Sequence, residues 1–224
     1  MSKTPIRVLV VDDHPIVRRG ISAEINLDPG MQVVGEAQNG LEAVELAVQL
    51  KPDVILMDLM MPQMDGVEAT REIIAADPNA QILILTSFTE EDSVYTAVKA
   101  GAAGFIYKDR PPSELLSAIR KLHNSLPILS PSITRRLQRD LRDQNQAATE
   151  GAAALTEREI EIVQLVVQGA LYKEIAQTLG IQEATVRAHV SNILGKLGLV
   201  NRSQLVLYAI NHKIIKSKIQ PNPD

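Results

Sequence analysis

Over the first half of the chain, apolar residues fall into two alternating kinds of run. Ile6–Val11, Gln32–Ala37, Val54–Met57, Gln81–Thr86 and Gly104–Tyr107 are short and rich in β-branched residues, which suits buried parallel strands. Between them the spacing turns helical. Ile16, Val17, Ile21 and Ile25 follow His14-Pro15, and Leu41, Val44, Leu46, Ala47 and Leu50 lie between Gly40 and Leu50. Val67, Thr70, Ile73 and Ile74 mark a third helix, Glu90–Ala100 a fourth closed by Gly101, and Pro112 opens a fifth reaching about His123. Five βα units in succession predict a doubly wound α/β domain, a five-stranded parallel sheet with helices on both faces.

The pattern changes at Leu126. Pro127 and Pro131 punctuate it, Ile133, Leu137 and Leu141 mark a short linker helix, and Gln144–Ala154 is poor enough in large apolar groups to read as a flexible tether. The four arginines of this stretch are interspersed with Asp140 and Asp143, which fits a solvated helix face. Beyond it, Thr156 and Glu159 have the spacing of a capping box, opening a helix to Gln168 with Gly169 as its cap. Tyr172–Leu179, Glu183–Leu197 and Ser203 to about Lys213 follow, separated by Gly180 and Gly198. A short helix, a tight turn and a longer helix make a helix-turn-helix inside an all-α four-helix unit. The expected division is 1–125, a linker over 126–151, and 152–224.

Charge supports two parts with different partners. Residues 1–125 carry 11 Lys/Arg against 18 Asp/Glu, the linker 4 against 3, and residues 152–224 carry 8 against 6. A surplus of two positive charges is too small to argue nucleic-acid binding; placement must carry that case. With no cysteine, disulfides and thiolate metal sites are excluded. No apolar run approaches a membrane span and no signal-peptide core follows Met1, so a soluble, cytoplasmic protein is expected.

Strand ends hold the candidate chemistry. Asp12 and Asp13 end the first strand, Asp58 the third and Thr86 the fourth, while Lys108 follows the fifth. In such a sheet these positions share the carboxyl edge, where open α/β sheets bind ligands. Three carboxylates together repel unless a cation compensates, and Mg²⁺ prefers one or two carboxylates with water and phosphate oxygens. Asp58 then suits a carboxylate nucleophile toward a phosphoryl group, with Lys108 as point charge and Thr86 as neutral donor. An acidic pocket holding metal alone would leave Lys108 and Thr86 without a task.

On the helix Glu183–Leu197, Val186, Val190, Ile193, Leu194 and Leu197 form one apolar stripe. Thr185, Arg187, Ala188 and Ser191 lie off it. Arg187 suits guanine, Ala188 a thymine methyl, and Ser191 a base or a phosphate. Thr185 and Lys196 suit phosphates. His189 is expected to be a structural, hydrogen-bonded group.

Val10-Val11-Asp12-Asp13-His14, Met57-Asp58-Leu59-Met60-Met61-Pro62-Gln63-Met64-Asp65-Gly66, Leu85-Thr86-Ser87 and Ala100 through Lys108 together resemble the receiver domain of bacterial two-component response regulators. Leu155-Thr156-Glu157-Arg158-Glu159, Lys173-Glu174-Ile175-Ala176, Ala184 through Val190 and Ile193 through Gly198 resemble the LuxR-type DNA-binding domain. The pair resembles a NarL/FixJ-type regulator. The resemblance implies a flavodoxin-like sheet in the order 2-1-3-4-5 and a phosphoryl group accepted on Asp58 from a sensor histidine kinase. It also implies Mg²⁺ on Asp12, Asp13, Asp58 and the Met60 carbonyl, with Thr86 and Phe105 reorienting on phosphorylation. Double-stranded promoter DNA, a homodimer in the phosphorylated or DNA-bound state, and RNA polymerase are the further partners it implies.

Some positions depart from the pattern. Asp109 follows Lys108 where many receivers have proline, so a cis peptide is not expected there. Tyr172 stands where the LuxR-type domain usually has Asn, Gln182 where Ser is common, and Gly195 interrupts the recognition helix. Two rival readings exist. An aspartyl-phosphate hydrolase would usually carry a second Asp two residues after the nucleophile, where Met60 stands. A signalling adaptor or phosphorylation-independent regulator would use the helical unit to bind protein.

Overall fold

Five strands assemble in the order β2-β1-β3-β4-β5, all parallel. They are β1 (Ile6–Val11), β2 (Met31–Ala37), β3 (Val54–Asp58), β4 (Ile82–Thr86) and β5 (Gly104–Tyr107). The computed structural model describes residues 4–86, 91–124, 126–145, 155–212 and 214. Ser87, Glu90, Lys213, most of the expected tether and the side chain of Leu141 lie outside the described residues.

The helices of this first unit are α1 (Pro15–Leu27), α2 (Gly40–Leu50), α3 (Gly66–Ala76), α4 (Glu91–Ala100) and α5 (Pro112–His123). Alternation along β1, β3 and β4 sends Val8, Val10, Leu56, Leu83 and Leu85 to one face, where Ile25 of α1 and Ile119 and Leu122 of α5 cover them. Leu9, Ile55, Met57, Ile82 and Ile84 are equally buried on the opposite face, beside α2, α3 and α4. Each of these large side chains contributes about 1.5–3 kcal/mol on leaving water, so the sheet's centre is where apolar burial is concentrated. That centre ends at Asp12 and Asp58.

Two expected core residues are not in the core. Ile16 is 88% exposed and Leu41 52%. Both occupy the first turn of a helix that starts beyond the carboxyl ends of the strands, where no sheet lies beneath them, and helical spacing cannot register that offset. Asn39 and Asp65 cap α2 and α3 by accepting the backbone N–H groups of Glu42 and Glu68. Among the described residues no peptide bond is cis.

The chain divides into compact units of residues 1–137 and 138–224. Past α5 it returns to the sheet: Ile128 pairs in parallel with Gly104, its N–H donating to the Ala103 carbonyl and its carbonyl accepting from Phe105 N–H. Only a residue without a Cβ permits this approach, since a Cβ on Gly104 would lie 2.7 Å from the Ile128 carbonyl oxygen. α6 (Pro131–Asn145) follows, with Ile133 and Leu137 buried; Arg136 lies over the Tyr95 ring and pairs with Asp92 of α4.

The second unit packs α7 (Glu157–Val167), α8 (Tyr172–Leu179), α9 (Glu183–Leu197) and α10 (Arg202–Asn211). Thr156 and Glu159 form the expected capping box. Gly180 turns the chain from α8 into α9 at φ +66°, a backbone state glycine adopts without steric cost. Val186, Val190, Ile193, Leu194 and Leu197 are all buried, as their spacing predicts. Gly195 is exposed and an added Cβ would meet nothing within 4 Å. Gly195→Ala should therefore stabilise this unit by about 0.5–1 kcal/mol. Urea unfolding followed by circular dichroism would show a higher midpoint at unchanged slope; a lower midpoint would overturn this account of Gly195.

Candidate functional site

β1, β3, β4 and β5 deliver their last residues to one edge. Lys108 is placed by its own backbone, whose N–H donates to the Thr86 carbonyl across the ends of β4 and β5. Its ammonium lies 2.7 Å from Asp58 Oδ2 and 2.9 Å from Asp12 Oδ2. The other Asp58 oxygen accepts the Leu59 N–H at 2.8 Å, so both oxygens are oriented. Thr86 is buried at its strand end. The loop after Asp58 is held by Gly66, whose N–H donates to the Leu59 carbonyl. A Cβ there would sit 2.0 Å from the Asp58 carbonyl oxygen, so any side chain would displace the acceptor's own backbone.

Burial raises the Asp58 pKa above the usual carboxylate value, more than the hydrogen bond and charge of Lys108 lower it, and neighbouring Asp12 adds to the rise. Burial also opposes the charge on Lys108, yet its contacts with the Asp58 and Asp12 carboxylates and their charges together outweigh it and hold Lys108 above the ordinary lysine value. Each charged group is thus tolerated because the other is present.

Ligand atoms of Asp12, Asp13, His14 and Asp58 all lie within 4.8 Å of one another. Two of their oxygens are shut from solvent and lack an aligned hydrogen bond. Asp12 Oδ2 has only the ammonium contact, and Asp13 Oδ1 lies 2.6 Å from His14 Nδ1 without donor geometry. Hard, anionic, under-satisfied oxygens are the donor set a divalent cation takes. Met60 follows β3 in the adjacent loop with its side chain exposed. Phe105 is half-buried, edge-on to Tyr107 at 5.5 Å between centroids, and lines a cavity of about 340 Å³ with Arg110 and Ile128.

Sequence reasoning missed two supports. Arg18 donates to the Asp12 carbonyl at 2.6 Å and to Glu36 at 3.2 Å, tying α1 to the ends of β1 and β2. A lone arginine on a solvated helix face gives no signal of this. The backbone N–H of His14 donates to Asp12 Oδ1, fixing that carboxylate's rotation.

In the helical unit Thr185, Arg187, Ala188 and Ser191 are exposed, off the buried stripe of α9. Arg187 donates to Glu183 at 2.9 Å. Lys196, expected at a phosphate, also has a partner within the unit: its ammonium lies 2.8 Å from both carboxylate oxygens of Glu159. That hydrogen bond, with the Thr156 backbone N–H, holds the Glu159 pKa below the usual carboxylate range. A phosphate would have to compete with this pair for the Lys196 ammonium. His189 is half-buried.

An acidic, lysine-bridged cluster at the carboxyl edge of a 2-1-3-4-5 sheet, followed by a helix-turn-helix unit, defines a receiver coupled to an output domain. Residues 8–120 match the response regulator receiver domain, and residues 153–209 match the bacterial regulatory proteins of the luxR family. The chain belongs to the response regulators of two-component systems, as a LuxR-type transcriptional regulator. It is 42% identical over 212 residues to the response regulator protein VraR of Staphylococcus saprophyticus, covering 95% of this chain and all of that one. With the transcriptional regulatory protein LiaR of Bacillus subtilis it shares 40% over 210 residues, 94% of this chain and 99% of LiaR. Among solved structures, a LuxR-family two-component response regulator from Aurantimonas is similar at TM-score 0.55 and 38% identity, over 61% of this chain and 98% of that one. A structure of two RcsB dimers bound to two parallel DNAs is similar at TM-score 0.53 and 25% identity, over 92% and 98%. Among the described residues no helix is long and apolar enough to cross a membrane.

Proposed function

We propose that Asp58 is the residue that accepts the phosphoryl group of a sensor histidine kinase, and that the modified receiver controls how the helical unit engages promoter DNA. The observation that carries this is the Lys108 ammonium bridging Asp58 and Asp12 at the sheet edge. A carboxylate oxygen of Asp58 forms the new bond to phosphorus as the bond to the donor's imidazole nitrogen breaks. Lys108 then faces the charge gathered on the phosphoryl oxygens, and Thr86 offers a hydroxyl beside it. Asp12, Asp13, Asp58 and the Met60 carbonyl would hold Mg²⁺, which when bound neutralises carboxylate and phosphoryl charge. Phe105 and Thr86 are the side chains through which the modified state reaches the β5 face.

On the output side, Arg187 reads a base edge, Ala188 and Ser191 flank it, and Thr185 contacts phosphate. Lys196, shared with Glu159, contributes less to phosphate contact than its charge suggests. The protein acts in the cytoplasm as a homodimer on DNA, where RNA polymerase is within its reach. Its relative RcsB has been seen as dimers on DNA, which supports that arrangement.

The test is binding of the phosphorylated full chain to a library of duplex variants at several salt concentrations. Arg187→Ala should cost about 1–3 kcal/mol on the preferred duplex and relax preference at one position of each half-site. Loss of affinity without any change in preference would mean that α9 does not read sequence through Arg187.

A further inference from the structure

Tyr172, the first residue of α8, is buried to 8% exposure between two cations on different helices. The guanidinium carbon of Arg202, the first residue of α10, lies 4.6 Å from the centre of its ring, and that of Arg187 on α9 lies 5.2 Å from it. Arg202 is only 2% exposed. One of its Nη groups donates to the Ala170 carbonyl at 2.7 Å, while its buried Nε makes no hydrogen bond. No ion pair with a carboxylate is found for Arg202 among the described residues. Tyr172 therefore meets this charge both with its ring and through a side-chain hydrogen bond, and Arg202 in turn fixes the ring.

Arg187 has two restraints of opposite consequence. The Glu183 carboxylate, 2.9 Å away, occupies a guanidinium N–H and cancels the charge; a base or phosphate must displace it. An aromatic face attracts the same guanidinium without consuming any in-plane donor and without cancelling its charge. What remains after Glu183 lets go is an arginine still located, with its donors free.

We propose that Tyr172 is a positioning residue for sequence readout: its ring, anchored by buried Arg202, holds the Arg187 guanidinium in the orientation from which it meets a base edge. This rests on the reading that Arg187 contacts a base. The ring removes much of the rotamer freedom that a long, exposed side chain would otherwise lose on binding. Of the residues assigned to DNA contact, Arg187 is the one placed over the ring, so the effect on readout falls on one base pair per half-site.

The experiment compares the phosphorylated full-length protein with its Tyr172→Phe, Tyr172→Leu and Arg187→Ala variants on a library of duplexes substituted at every operator position. Arg187→Ala should flatten preference at one position. Tyr172→Leu should reduce preference at that same position roughly 2–5-fold, the range of an exposed cation–π contact, and leave the other positions unchanged. Tyr172→Phe keeps the ring but loses the hydroxyl that meets Arg202, so it should retain more of the preference than Tyr172→Leu does. Full preference in the Leu variant, or an equal loss at all positions, overturns the positioning role while leaving the base-reading assignment intact. An unchanged profile in Arg187→Ala overturns both. A second measurement needs no change at Tyr172: in Glu183→Gln, the Arg187 Nε–H should remain ordered by NMR relaxation in the free protein. A freely moving Nε–H there also overturns the proposal.

Discussion

Asp58→Asn should take up no acid-labile phosphate from a small phosphodonor in Mg²⁺, and it should melt at a higher temperature than the wild type near neutral pH. The two effects share one cause. The Asp58 pKa is raised in the folded chain, chiefly by burial, so the folded state binds its proton more tightly than the unfolded state does. Stability then falls as pH rises from the ordinary carboxylate range through the raised value. Once ionised, the acid is a cost carried by the fold, and an amide of the same shape removes it. The wild type should show this descending limb in its pH–stability curve, and the Asn variant a shallower one. Phosphate retained on the Asn variant would remove Asp58 as acceptor. A lower melting temperature at neutral pH would contradict the electrostatic account while leaving the acceptor assignment standing. Gain of stability with loss of activity is what a strained functional site predicts.

Lys108→Met should have the opposite sign. It keeps the apolar stem but leaves Asp12 and Asp58 facing each other without the cation that lies 2.9 and 2.7 Å from them. Removing one partner of a buried ion pair costs about 3–5 kcal/mol. Lys108 is 21% exposed and Asp58 can take up a proton, so the expected loss is smaller, about 2 kcal/mol in chelator. Mg²⁺ should restore more stability to the variant than it adds to the wild type, because the vacated charge is the one a divalent cation supplies. Differential scanning calorimetry with and without Mg²⁺ measures both numbers. Equal melting of variant and wild type in chelator would show that Lys108 does not hold these carboxylates together.

How far each part could be read in advance follows from where its determinants lie along the chain. Asp12, Asp58, Thr86 and Lys108 were legible because each directly follows or ends an apolar run, and parallel strands bring all such ends to one edge. The stripe of α9 was legible because five large apolar residues repeat at helical spacing. Other features depend on which surface happens to face which. Nothing in the periodicity of α1 tells Ile16, 88% exposed, from Ile25, fully buried. The difference is a helix turn lying beyond the sheet rather than over it. The Lys196–Glu159 pair and the Tyr172–Arg202 contact join residues far apart in sequence through the packing of α7, α8, α9 and α10. Charge counting places such groups on the surface by default. Arg202, with a cationic side chain in a buried position, is the case that counting handles worst.

The pairing of Ile128 with Gly104 bears on how the chain avoids sticking to its own copies. A parallel sheet that stops at β5 leaves a row of backbone donors and acceptors open to any extended segment that passes. Here the Phe105 N–H and the Ala103 carbonyl are already engaged by Ile128, and the missing side chain at Gly104 is what lets that cover seat itself. The cover comes from later in the chain than α5, so during synthesis all five strands emerge before the segment that closes their margin. Until Ile128 has left the ribosome, the growing receiver carries a strand edge that a neighbouring nascent chain can zip onto. Residues that look like the start of a linker thus also guard solubility while the protein is being made.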